Sequence, residues 1–297
     1  MTSAMNRSTA LKYIVEQANT GDLVFPTNIA ASVKIQQAIR DPECSADLAS
    51  RLVLNEPLLA ARVVATANSA AYSRGNVVNN VKAAINRLGF STLNAIVASI
   101  VVRQLAGSSK DKRIQSMVST LWEHSAQVAA LSRVIARKIT KVDPDTAMFA
   151  GIVHEVGNFY LLSRAEEFPS LLEIEYPIIE TTEKSVSEDP LDEEEGDSNE
   201  AIIGRAVIHT LQLPPTVVEA LEALWFGLRA MPPETLGDTI LLANELARTK
   251  SPFDYNSYAE AGQFASEIDF VVGDGTLNRI LEESDEEVSS LTSALLV

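Results

Sequence analysis

Three histidines, His124, His154 and His209, are the side chains of this 297-residue chain best suited to proton transfer or metal ligation. His124 stands in Trp122-Glu123-His124-Ser125. His154 stands in Ala150-Gly151-Ile152-Val153-His154-Glu155-Val156-Gly157, with a carboxylate directly after it. From the residues alone, His124 and His154 read as partly buried histidines hydrogen-bonded to each other's helices. His209 lies on a helix that ends at Leu213-Pro214, where an imidazole interacts favourably with the helix C-terminus. Asn68 and Tyr72 are four apart and share a helix face. Asn68 is placed to bond loop backbone and order the turn after Tyr72, or to contact a ligand. With Arg62 upstream, these are the candidate binding residues.

Other chemistries find no support. Gly273-x-Gly275 lacks the further glycine and the strand context of a phosphate loop. Ser125 follows His124 directly, and adjacent helical positions point apart, so no Ser-His pair forms. The run from Asp189 to Glu195 lacks the alternating ligands and central glycine of a calcium loop. The single cysteine, Cys44, permits no intrachain disulfide and no cysteine-based zinc site. That usage fits a reducing cytoplasm. Cys44 follows Asp41-Pro42-Glu43 in a helix-connecting turn and reads as structural or incidental.

The elements that must position these residues are helical. Apolar residues at 3.6-residue spacing, broken by capping residues, give an all-α fold. Ser8 is expected to cap a first helix stopped by Gly21. Pro26-Thr27-Asn28 opens a second, Ser45 caps a third, and Pro57 suits the first turn of a fourth. Gly89 separates a helix through Leu88 from an apolar one running to Val102. The stretch from Leu88 to Val102 is too short to span a bilayer and reads as a buried helix. Gly107-Ser108-Ser109-Lys110 is the expected hinge between two halves. Beyond it a long helix runs from about Ile114 to Lys138. Further helices start at Asp143-Pro144, Leu213-Pro214-Pro215 and Pro232-Pro233.

Charge constrains the partners. Lys plus Arg is 24 against 40 Asp plus Glu, a net charge of −16. A field of that sign repels phosphate backbones, so direct nucleic-acid binding is disfavoured. Eight acidic residues and no basic one lie between Ser185 and Gly204, so residues 185–199 are expected to be irregular and solvated.

Three segments together resemble the HDOD family, a helical relative of the HD metal-dependent phosphohydrolases. The first comprises Asp41-Pro42, Asn55-Glu56-Pro57-Leu58-Leu59-Ala60-Ala61-Arg62, Ala67-Asn68-Ser69, Tyr72, Ala84-Ile85 and Leu88-Gly89. The second joins Trp122-Glu123-His124-Ser125 to Ala150 through Gly157. The third is Gly204 through Leu213-Pro214. The resemblance implies two packed helical bundles, the second HD-like. It divides the chain into an N-terminal helix over 1–22, an HDOD domain over 23–225 (halves 23–108 and 112–225) and a helical extension over 226–297.

The resemblance also implies where a metal would bind. His124 matches the first histidine of the enzymes and His154 the second. Glu155 stands where an Asp is expected, and Asn244 where the last Asp is expected. Asn158 replaces a common Lys, Glu200 stands near an extra His of the binuclear relatives, and Leu224-Trp225 replace a His pair. Hard divalent ions want charged oxygens beside the imidazoles. Two imidazoles and one displaced carboxylate make a poor site, so no cofactor is expected, with a divalent metal as the alternative. The implied function is a non-catalytic, cytoplasmic signal-transduction module that binds proteins or a small ligand, without membrane insertion. Its implied partners are signalling proteins of cyclic-di-nucleotide or sensor-kinase pathways, with a second copy of the chain also a candidate. A metal-dependent phosphohydrolase remains the rival reading.

Overall fold

The computed structural model describes residues 5–25, 29–73, 75–105, 109–173, 199–211, 213–226, 230, 232–253 and 275–296. The acidic stretch expected to be irregular lies outside the described residues, apart from Asn199, which begins a helix. Gly107 and Ser108 of the expected hinge, and Gly273, also lie outside them.

The described residues are helical with no strand. Helix α1 (Arg7–Thr20) is capped by Asn6, whose side chain accepts from Thr9 N, so the cap lies two residues before Ser8. Gly21 closes it in the left-handed conformation that its missing Cβ permits, sending its N–H back to Ala18 O. Next come α2 (Ile29–Arg40), α3 (Ala46–Leu54), capped by Ser45, and α4 (Pro57–Asn68), which starts on proline as expected. Helix α5 (Val81–Leu105) carries one non-helical residue, Gly89 at φ 79° and ψ 169°, where the sequence places its break.

The second half opens with α6 (Lys112–Ile135), capped by Asp111 and continued by a π-turn over Ala136–Thr140. Then follow α7 (Pro144–Val153), capped by Asp143, and α8 (Val156–Arg164). After a short 3-10 turn over Pro169–Leu172 come α9 (Asn199–Thr210), α10 (Pro215–Trp225), α11 (Leu236–Leu246) and α12 (Thr276–Leu296). Helix α11 starts at a capping box between Thr235 and Asp238, a few residues later than Pro232-Pro233 suggested.

There are two hydrophobic cores, and α5 serves both. Leu93, Ile96, Val97 and Ile100 face a smaller core with Val53, Leu59, Val63 and Ile85. Ala95, Ala98, Val101 and Val102 face a larger one with Leu121, Val128, Ile152, Phe159 and Ile240. Alternate faces of one apolar helix thus join the bundles. Helix α5 is long and apolar enough to cross a membrane, but two thirds of its apolar window, 67%, is buried inside the protein. Helix α1 sends Ala10, Leu11 and Ile14 into the larger core and packs on α9. The N-terminal helix therefore belongs physically to the second bundle.

Helix α12 crosses both bundles, packing on α6 and on α4. Its Leu277, Leu291 and Leu295 are buried. Glu287 pairs with Arg133 Nη1 at 2.8 Å and with Arg137, while Ser290 Oγ accepts from Ala70 N at 2.9 Å.

Candidate functional site

Helices α6 and α7 share an extensive contact, and Gly151 lets their backbones approach closely. A Cβ built on Gly151 would lie 2.7 Å from Ala129 Cα. This approach brings His124, in mid-α6, against His154 at the C-terminal end of α7. The Nε2 atoms are 3.2 Å apart and the rings lie 5.2 Å apart between centroids. His124 is fully buried and His154 is 5% exposed. His124 Nδ1 lies 2.8 Å from Thr249 O, and His154 Nδ1 lies 2.7 Å from Gly151 O. The histidines therefore meet ring to ring, with their outer nitrogens on backbone carbonyls.

Counting protons defines what this arrangement needs. A carbonyl oxygen only accepts, so each Nδ1 must carry a hydrogen to make its bond. Two neutral imidazoles carry two protons, and both are used. The two Nε2 atoms then face each other as lone pairs, a contact that a metal ion or an added proton between them would relieve. Glu155, immediately after His154, supplies a counter-charge: its Oε1 is 3.8 Å from His124 Nε2, and its Oε2 accepts from Asn158 Nδ2. His124, His154 and Glu155 offer ligand atoms within 4.8 Å of one another, and they are such a group among the described residues. Asn244 reaches His154 from α11, and its buried side chain favours the protonated imidazole.

Around the histidines lies a shell that sequence reasoning missed. Thr249 holds His124 through its carbonyl. Its N–H donates to Gln127 Oε1 and its hydroxyl to Glu123 Oε1, each at 2.9 Å. The helical offset of Gln127 from Glu123 was readable. Nothing in the sequence pointed to Thr249, which lies in a loop 125 residues from His124.

The chain and its fold have known relatives. The HDOD domain matches residues 25–225. The chain belongs to the HDOD family. This HDOD chain is also similar in structure to a candidate metal-dependent phosphohydrolase from Shewanella amazonensis SB2B, with a TM-score of 0.69 at 20% identity over 97% of this chain and 98% of that one. It is similar to an HDOD domain protein with unknown function from Geobacter sulfurreducens, with a TM-score of 0.57 at 18% identity over 97% of each chain. A candidate signal transduction protein from Marinobacter aquaeolei VT8 gives a TM-score of 0.57 at 16% identity, over 99% of this chain and 67% of that one. At such identities the likeness shows the fold. No curated protein matches the sequence.

The HD ancestry implies a metal, and the donor set of this HDOD protein fits one ion. Two imidazole nitrogens 3.2 Å apart approach the edge of about 3.3 Å around a zinc ion with nitrogens at about 2.05 Å. Glu155 brings one charge, and the Asn244 oxygen beside His154 brings a neutral donor. Among the described residues no second acid joins Glu155 at the pair, as a two-metal centre would need, and Asn244 brings only an amide.

The remaining candidates of the HDOD domain lie elsewhere. Asn68 makes a two-way clasp with the loop after Tyr72: its Nδ2 donates to Val78 O at 2.7 Å and its Oδ1 accepts from Val78 N at 2.8 Å. Tyr72 OH donates to Asp145 Oδ1 at 2.8 Å and accepts from Arg133 Nε at 3.0 Å. The Arg133 guanidinium stacks 4.3 Å above the Tyr72 ring. Burial raises the Tyr72 hydroxyl far above the usual phenol range. Arg62 is buried between the bundles, donating to Ser99 Oγ at 3.1 Å with its guanidinium 5.3 Å from the Trp122 ring centre. Tyr72 and Arg62 thus lie on the junction between halves. His209 is exposed in the last turn of α9. Trp225 fills the space that Gly204 leaves, and a Cβ there would lie 2.6 Å from its ring. Cys44 is half-buried, and burial and Asp41 push its thiol up, away from reactivity. Glu200 lies in the first turn of α9, and its side chain is outside the described residues.

The histidine pair gives a pH dependence of known sign. Burial lowers the His154 value to about 4, against the opposing pull of Glu155. The unfolded chain therefore takes up this proton first, below about pH 6.5. The stabilising contribution is complete above that value and is lost as pH falls towards 4. Thermal melts of the native protein should fall more steeply between pH 6.5 and 4 than those of His154→Gln. Parallel slopes would show that His154 is not the group responsible.

Proposed function

We propose that this protein is a non-catalytic signal-transduction module of the HDOD type, which works in the cytoplasm by binding a protein or small-ligand partner. The observation that carries this reading is the closed and acid-poor HD centre. His124 and His154 are buried, their outer nitrogens are tied to carbonyls, one Glu155 oxygen is tied to Asn158, and an amide replaces the final acid. A phosphoester substrate needs open coordination positions and several charged ligands around the metal. The net charge of −16 supports protein or small-molecule partners over nucleic acid. Signalling proteins of cyclic-di-nucleotide or sensor-kinase pathways are the partners we propose, with self-association as a further mode.

The proton count favours one rival, a metal-dependent phosphohydrolase. If an ion is held, His124, His154 and Glu155 hold it, with the Asn244 oxygen beside it, and it supplies a polarised water. The experiment that separates the two is elemental analysis of protein purified without chelator. It is paired with phosphatase and phosphodiesterase assays in added manganese, magnesium or zinc. The expected result is no turnover above the His154→Ala background. Stoichiometric metal with turnover that His154→Ala removes, in a variant that keeps its helical spectrum, restores the enzyme.

A further inference from the structure

A cavity of about 320 Å³ opens between α6, the end of α11 and α12, on the outer side of the histidine centre. Its walls are aliphatic: Leu131 of α6, Leu246 of α11, and Leu281 and Val288 of α12. Most of the rest of the lining is polar, and Glu123, Arg248 and Asp285 carry its charges. Thr292 lines it, is 9% exposed, and has a buried Oγ1 with no hydrogen-bond partner. Glu123 stands at the exposed rim. Its carboxylate accepts from Thr249 Oγ1 and Gln127 Nε2, and no cation pairs with it among the described residues. The other two charges of the lining, Arg248 and Asp285, pair with each other at 2.9 Å.

We infer that this cavity binds a small amphipathic organic cation, a primary or secondary ammonium group on a compact aliphatic or aromatic body. The aliphatic walls favour an apolar body at about 25 cal/mol per Å² withdrawn from water. An ammonium brings donors without acceptors, which suits the Glu123 carboxylate, paired with no cation among the described residues. A carboxylate ligand meets Glu123 and a chain of net charge −16. A neutral alcohol forgoes the charge-assisted bond. The site stands one residue from the HD centre, because Thr249 bonds Glu123 through its hydroxyl and His124 through its carbonyl. The inference goes beyond the proposed function and holds whether or not a metal occupies the histidines.

The test uses the full chain at neutral pH and low salt, titrated calorimetrically with n-octylamine, octanoate and 1-octanol. Octylamine is expected to bind one saturable site at least about tenfold more tightly than octanoate, a difference of about 1.4 kcal/mol. Glu123→Gln should weaken octylamine about fivefold or more and leave 1-octanol unchanged. Ser293→Trp, at an exposed position of the lining, should block both probes. If Ser293→Trp fails to fold, Glu123→Gln alone decides. No saturable octylamine binding, equal affinity for octylamine and octanoate, or an octylamine affinity unmoved by Glu123→Gln each overturns the inference. None of these outcomes bears on hydrolase activity, so failure here is distinct from failure of the binding-module reading.

Discussion

Replacing Gly151 by alanine is expected to destabilise the protein by about 2–3 kcal/mol, although the same change in an open helix stabilises by up to about 1 kcal/mol. The difference lies in what the new methyl meets. Its carbon would sit 2.7 Å from Ala129 Cα, 2.9 Å from Ala129 N and 3.1 Å from Ser132 Oγ. Two of these atoms are backbone and cannot rotate aside, so α6 and α7 must move apart. That separation opens the larger core along its tightest seam and draws His154, three residues on, away from His124. Denaturant unfolding should show a lower midpoint at unchanged slope. Amide spectra should show changes at Thr249, whose carbonyl follows the His124 ring. A stability within about 0.5 kcal/mol of the parent would mean that the helices tolerate the wider spacing, and the close-packing account of the centre would fail.

A change of the opposite sign is expected at Arg62. The side chain is 1% exposed and donates to Ser99 Oγ, while its Nε finds no hydrogen-bond partner. Among the described residues no carboxylate is paired with it, and burial together with the nearby Arg103 lowers its value to about 10. That shift corresponds to a cost on the order of 3 kcal/mol for carrying the charge at neutral pH. Its aliphatic stem and the face of Trp122 offset part of the cost. Methionine keeps the volume and removes the charge. Arg62→Met is therefore expected to fold and to gain about 1–3 kcal/mol, as replacements of buried ionic groups by apolar ones often do. A loss greater than about 1 kcal/mol would mean that the charge is satisfied by more than Ser99 and Trp122. A gain would identify Arg62 as a residue kept for something other than stability.

Helix periodicity and caps made much of this architecture readable. Ser45, Pro57, Gly89 and Asp143 each mark a boundary because each satisfies or breaks local backbone bonding within a few residues. The start of α1 at Asn6 and of α11 at Thr235 was misplaced because several neighbouring residues could cap, and packing chose among them. The histidine centre was readable through its types and order. Its second layer was not. Thr249 on His124, and Tyr72 with Arg133 and Asp145, bring together residues 61 to 125 positions apart, and no local pattern encodes such pairings. The docking of α1 on the second bundle escaped for the same reason: an amphipathic face announces that it will be covered, and is silent about by what.

The strut formed by α12 bears on how the protein is made. The segment that matches the family ends at residue 225, yet Ser290 and Glu287 fasten α4 and α6 from a helix that begins only at Thr276. A ribosome adds about 5–20 residues per second, so a nascent chain spends seconds with both bundles synthesised and the covering helix still to come. During that interval Arg133 lacks Glu287, and the surface that will receive the α12 leucines faces water. Holdase-type chaperones recognise that kind of surface, and in their absence two nascent chains can pair through it before either has its own α12.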